Sequence, residues 1–213
     1  TLLYMTPYAV NAVAPTRLIV GTNFLYESMD SGSTFTAVGG LQDVNGDTLD
    51  NDNDGAVDEG DEFLPLNPVG KVNGIDPARP LSSPIAYGGT ADGVDNADVL
   101  WLGAGGGLRL RTTGNGLPAS VLNYTGGAVV DVVMDPEDWH TAFILDANGS
   151  VFQAVTNDAG TNVTFSDVTG DLGQLATSLR VLEAVRVDGN LVLLAGGRLG
   201  VYRAVNPSAG SLW

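Results

Sequence analysis

Four segments of this chain repeat one pattern: an apolar run, a tight turn, then an alternating run. They are Arg17–Ser28, Val99–Arg111, Thr141–Ala154 and Asn190–Arg203. Short apolar runs joined by Gly, Asn or Asp predict β-hairpins. A further strand candidate precedes each hairpin: Tyr8–Val13, Pro84–Gly88, Ala128–Met134 and Leu179–Val187. The turn-opening residues Gly21, Gly103, Asp146 and Gly196 stand 82, 43 and 50 residues apart. The long first interval holds an acidic stretch and a Pro-rich tract, and without them it approaches the other two. A period of about 40–50 residues with several strands per unit is the signature of a β-propeller. The predicted fold is therefore all-β, a single propeller domain or propeller fragment over residues 1–213, with 41–80 as an inserted acidic loop and Pro-rich tract. Four units either close as a small propeller or belong to a larger ring of six to eight blades. An incomplete ring would expose strand edges, which predicts a protein partner or self-association that completes it.

The insertion carries the clearest chemical signal. Asp50-Asn51-Asp52-Asn53-Asp54-Gly55-Ala56-Val57-Asp58-Glu59-Gly60-Asp61 places carboxylates at positions 1, 3, 5, 9 and 12 of a twelve-residue loop, with Gly at position 6. That is the ligand spacing of a calcium loop. A hard cation needs several oxygens around one point, and alternate side chains on a tightly turning backbone converge there. The expected ligands are Asp50, Asp52, Asp54, Asp58 and Asp61, with the Ala56 carbonyl and with Glu62 in reserve, and the expected cofactor is Ca2+. Position 12 is Asp rather than Glu, and the Gly- and Pro-rich flanks exclude the helices of an EF-hand. The pattern resembles the free-standing Asp-rich calcium loops of secreted bacterial and thrombospondin-type repeats. Asp43 to Glu62 holds nine acids and no base, a repulsive arrangement that a bound cation relieves. A solvated insertion without an ion is the alternative.

After the first hairpin, Ser28-Met29-Asp30-Ser31-Gly32-Ser33-Thr34-Phe35 matches the pattern Ser/Thr-x-Asp-x-Gly-x-Thr-Trp/Phe. A looser copy spans Thr156 to Phe165, and a degraded one spans Asn206 to Trp213. These segments resemble the Asp-box (BNR) repeats of β-propellers such as sialidases, sortilin-like receptors, xyloglucanases and photosystem assembly factors. The phrase Asp131-Val132-Val133-Met134-Asp135-Pro136-Glu137-Asp138 resembles the strand and Asp-Pro turn that open blades in that family. The residue chemistry is that of a turn: Asp30 accepts backbone N–H groups, Gly32 takes a conformation that side chains resist, and Phe35 returns the chain to the core.

Composition narrows the function classes. Net charge is −16, and nine basic residues without a cluster argue against nucleic-acid binding. No apolar run reaches the length of a membrane span. There is no Cys, so thiol catalysis and thiolate metal sites are excluded. The chain opens at Thr1 without Met and without a visible signal peptide, which reads as processing or truncation. His140, the single His, is expected in a surface turn before a strand. Paired carboxylates for a glycosidase would come from Asp92, Asp95, Asp98, Asp131, Asp135, Glu183 or Asp188. Asp92 to Asp98 reads either as a solvated turn or as a second cation loop. No Arg-Ile-Pro signature of sialidases is present, so the resemblance implies the scaffold and not the catalytic set. The sequence thus predicts a non-catalytic, extracellular or cell-surface calcium-binding module of bacterial type, structural, adhesive or glycan- or protein-recognising. A sialidase- or xyloglucanase-like hydrolase and a partner-docking assembly factor are the alternatives.

Overall fold

A computed structural model describes residues 7–21, 25–38, 84–104, 107–176 and 178–213. The expected insertion at 41–80, with Asp50, Asp52, Asp54, Ala56, Asp58, Asp61 and Glu62, lies outside the described residues. Among the described residues the regular structure is almost all antiparallel sheet, in four successive meanders. Sheet I contains β1 (Tyr8–Val10), β2 (Leu18–Gly21), β3 (Leu25–Ser28) and β4 (Thr36–Ala37). Sheet II contains β5 (Ile85–Ala91), β6 (Val94–Ala104), β7 (Gly107–Arg111) and β8 (Ala119–Ser120). Sheet III contains β9 (Val129–Asp135), β10 (Asp138–Asp146), β11 (Val151–Thr156) and β12 (Val163–Asp167). Sheet IV contains β13 (Leu179–Val187), β14 (Asn190–Gly197) and β15 (Gly200–Val205). One helical turn, α1 (Leu172–Leu175), links III to IV. A single bridge between Asp138 and Ala91 joins III to II at the strand ends. Within each sheet the strands follow chain order, which is the construction of propeller blades.

The hairpins form where the turn chemistry permits. Asp92-Gly93 and Asp188-Gly189 each place both residues at positive φ, 50° and 74° in the first and 50° and 77° in the second. Those are the dihedrals of a two-residue turn whose twist matches the strands it joins. The four expected hairpins correspond to β2–β3, β6–β7, β10–β11 and β14–β15. The expected leading strands correspond to β1, β5, β9 and β13.

Packing explains why the second strand of each sheet carries a continuous apolar run. Successive side chains on a strand point to opposite faces, so Val99-Leu100-Trp101-Leu102 serves two interfaces at once. Leu100 and Leu102 join Ile19, Leu25, Val38, Ile85 and Tyr87 between sheets I and II. Val99 and Trp101 pack with Val132, Ala142, Ile144 and Val163 between II and III. Phe143 and Leu145, on the other face of β10, meet Leu182, Ala184, Leu191, Leu193 and Ala195 between III and IV. The close approach of β6 to β9 requires Gly103, where a Cβ would fall 2.6 Å from that of Val129 and 2.8 Å from that of Pro84.

Sheets I and II are also tied by Asn11, which is buried. Its Oδ1 accepts from the amides of Val13 and Ala14, and its Nδ2 donates to the Ala97 carbonyl at 2.7 Å. The Ala12 amide then donates to the Tyr87 carbonyl.

Candidate functional site

The densest chemistry among the described residues lies between sheets I and II. Cross-strand register sets it up. On sheet I, Glu27 pairs with Ile19, on the same face as Leu25. On sheet II, Tyr87, Leu100 and Arg111 form one row facing sheet I. Glu27 Oε1 accepts from Arg17 Nη2 at 3.0 Å and from Arg111 Nη2 at 3.0 Å, and Oε2 accepts from Arg111 Nη1 at 3.4 Å. The Tyr87 hydroxyl donates to Glu27 Oε1 and accepts from Arg17 Nε. Arg17 Nη1 reaches Asp98 Oδ1 at 2.8 Å, and the Gly114 amide donates to Asp98 Oδ2. Arg111 Nε donates to the Asp98 carbonyl. Two guanidiniums and two carboxylates give zero net charge in this cluster.

The side chains of Arg111 and Glu27 are only 3% and 4% exposed. Burial alone pushes the Glu27 carboxyl up, but the Tyr87 hydroxyl and the two guanidiniums outweigh it and hold it below the ordinary glutamate value. Burial, followed by the hydrogen bond to Glu27, pushes the Tyr87 hydroxyl up to about 12. A carboxylate with its lone pairs occupied in this way is a poor base and a poor nucleophile. The arrangement clamps two sheets together.

A second pair of carboxylates ties sheet III to IV. Asp131 is buried and accepts from the amides of Val132 and Leu182. Burial dominates there and pushes its carboxyl up to about 7. Asp135 is buried as well and receives Arg186 through both Nε and Nη2. Both carboxylates are thus engaged, Asp131 by two backbone amides and Asp135 by a guanidinium. Glu183 is exposed on β13.

Several sequence expectations are corrected here. Asp92 occupies a turn as expected, but β6 begins at Val94, so Asp95 and Asp98 stand on a strand and not in a cation loop. Asp95 accepts from Thr90 Oγ1, and Asp98 is claimed by Arg17. His140 lies within β10 rather than in a turn. Its ring stacks on Trp139, with Nδ1 2.7 Å from Asp138 and Nε2 2.7 Å from Asp158. Among the described residues, no three His, Cys, Asp or Glu side chains converge as a metal site, and no helix is long and apolar enough to cross a membrane.

The turn after β3 has the hydrogen bonding expected of Asp30. Its Oδ1 accepts from the Thr34 amide at 2.8 Å and its Oδ2 from Thr34 Oγ1 at 2.7 Å, while Ser28 Oγ accepts from the Gly32 amide. Gly32 has φ +85°, where a side chain is disfavoured. Phe35 departs from expectation. It is 47% exposed, and Val38 is the residue that enters the core. In the looser copy, Asn157 accepts from the amides of Thr161 and Asn162, and Asp158 turns to His140 instead.

Sequence reasoning overlooked Arg17, Glu27, Tyr87 and Arg111. A signal existed in the alternation. Glu27 lies two residues from Leu25, on the inward face of β3, where a charge requires a partner.

No family model and no curated protein matches the sequence. Among solved structures, the chain is similar to YCF48 from Cyanidioschyzon merolae, at 12% identity and a TM-score of 0.46 over 93% of this chain and 55% of that one. It is also similar to an ancestral GH74 enzyme, at 13% identity and a TM-score of 0.44 over 93% of this chain and 30% of that one. The chain thus spans about half the length of the first and under a third of the second.

Proposed function

We propose that this chain is a non-catalytic, calcium-binding β-propeller module of the Asp-box type. It serves as a structural, adhesive or recognition element in a secreted or surface assembly, with a protein or a glycan as its ligand. The observation that carries this reading is the use made of the inward-facing charges. Glu27, Arg17 and Arg111 hold sheet I to II, and Asp131, Asp135 and Arg186 hold sheet III to IV. These groups are engaged in holding neighbouring sheets together, Glu27 by two guanidiniums and Asp135 by Arg186.

The Asp30 turn supports the Asp-box reading, because its side chain ties the turn that opens β4. Calcium rests on the oxygen spacing from Asp50 to Asp61, with the Ala56 carbonyl and with Glu62 as an alternative ligand. Bound there, the ion would offset the repulsion among nine acids and give the insertion a fixed shape that a partner could recognise.

A hydrolysis screen on xyloglucan, sialosides and related polysaccharides tests the non-catalytic claim. We expect no turnover above a buffer control. Turnover that disappears in Asp131→Asn or Asp135→Asn would assign the chain to the hydrolases instead.

A further inference from the structure

We propose that His140 is a proton-operated latch on residues 157–162, the turn between β11 and β12. The protonated ring bridges Asp138 on its own strand to Asp158 in the turn, and loss of the proton sets Asp158 and the turn free. The latch requires neither calcium nor a partner.

Hydrogen-bond stoichiometry carries the argument. Nδ1 stands 2.7 Å from Asp138 Oδ1, and Nε2 stands 2.7 Å from Asp158 Oδ1. An ionised carboxylate only accepts, so both ring nitrogens must donate, and only the imidazolium carries two N–H groups. The ring also stacks on Trp139, with centroids 3.8 Å apart, and an indole face attracts a cation. Once the proton leaves, one nitrogen presents a lone pair to a carboxylate oxygen, and that contact must open.

The surroundings decide which contact opens. Asp138 also accepts from the His140 amide and from Thr141 Oγ1, both at 3.1 Å, and Arg186 attracts it from sheet IV. Asp158 is 95% exposed and, among the described residues, has the ring as its one hydrogen-bond partner. The neutral ring therefore keeps its proton on Nδ1, facing Asp138, and releases Asp158. The turn's own hydrogen bonds are internal: Asn157 Oδ1 accepts from the Thr161 and Asn162 amides, and the Gly160 amide donates to the Asn157 carbonyl. Released, the turn loses its tie to β10 and opens more often. It then uncovers the seam between sheets III and II, because the turn lies so close to β7 that a Cβ at Gly160 would fall 2.8 Å from Thr112 Cγ2 and 3.3 Å from Leu110 Cδ2.

The charges around the latch set its direction. Asp138 and Asp158 face the ring directly. Asp135, Glu137 and Arg186 gather beside Asp138 at the turn from β9 to β10. From sheet II, Ala91 bridges to Asp138 and is followed by Asp92, and Asp95 pairs with Thr90, while Leu110 and Thr112 meet the turn without charge. Burial lowers the imidazole, but the two facing carboxylates outweigh it and leave it raised above 6.5. The latch is thus closed below 6.5 and opens as pH rises through the raised folded value.

Two NMR readings on the 213-residue chain test the latch, taken from about pH 5 to about pH 8, the range in which histidine changes charge. The ring nitrogen shifts of the single His should show both nitrogens protonated at the acid end and Nδ1–H alone at the basic end, the reverse of the tautomer that free histidine prefers. Hydrogen-exchange protection of the Gly160, Thr161 and Asn162 amides, corrected for intrinsic rate, should fall about twofold to fivefold over the same range, as expected for a partly exposed ion pair. Asp158→Ala and His140→Gln should show the lower protection at every pH, with folding checked by circular dichroism. Asp188→Asn, in another exposed acidic turn, should keep the wild-type pH dependence. An Nε2–H neutral ring, wild-type protection that does not change with pH, or a pH dependence that survives in Asp158→Ala would each overturn the proposal.

Discussion

Removing the carboxylate of Glu27 is the sharpest perturbation of the clamp between sheets I and II. The side chain is 4% exposed and receives four hydrogen bonds, one from Arg17, two from Arg111 and one from Tyr87. Glu27→Leu would leave the Arg111 guanidinium, itself 3% exposed, without its counter-charge. Arg17 would keep Asp98. Breaking a buried pair from one side costs about 3–5 kcal/mol, because a desolvated charge is left behind. For a domain of this length that lowers Tm by about 6 to 20 °C. The double variant Glu27→Leu/Arg111→Met should recover most of the loss, since apolar replacement of a whole buried pair is often neutral. Glu27 has a depressed carboxyl, so its contribution is fully present above the ordinary value of 4.5 and is lost as pH falls through the lower folded value. Urea denaturation of wild type, the two single variants and the double variant, repeated across pH, reads all of this. A single-variant loss below about 1 kcal/mol, typical of exposed ion pairs, would refute a buried, paired cluster.

Two further predictions concern titration. Asp131 binds its proton more tightly folded than unfolded, because burial pushes it up to about 7 from 3.8. Wild-type stability should therefore fall as pH rises from 3.8 towards about 7, and Asp131→Asn should flatten that slope in denaturant midpoints. At His140, burial lowers the imidazole but Asp138 and Asp158 outweigh it, leaving it raised above 6.5. Its stabilisation should be present below 6.5 and lost as pH rises through the raised folded value. Proton NMR can follow it without ambiguity, because the chain has one His, and Asp158→Asn should bring the midpoint down.

The parts of the fold legible in the sequence are those set by local chemistry. The continuous apolar runs Leu18–Val20, Val99–Leu102, Ala142–Leu145 and Leu191–Leu194 mark strands that need cover on both faces, and Asp188-Gly189 marks a turn through its dihedral demands. Asp30 was readable because its partners lie within four residues of it. Phe35 was misread because the two-residue strand Thr36–Ala37 shifts the inward position to Val38. The clamp was hidden because Glu27 meets Tyr87 and Arg111 across 60 and 84 residues of sequence. Spacing cannot predict such meetings until the sheet order is known. Asp98 was misassigned for the same reason, since its partner Arg17 is 81 residues away.

Calorimetric titration of calcium into chelator-stripped protein, with thermal melts alongside, decides whether the Asp50–Asp61 loop binds the ion. We expect saturable binding and a raised Tm, worth about 2.7 kcal/mol at a hundredfold excess over Kd. Both effects should vanish in Asp52→Asn/Asp54→Asn. A flat titration with an unchanged melt would rule out a calcium site and leave Asp50 to Glu62 as a solvated acidic insertion.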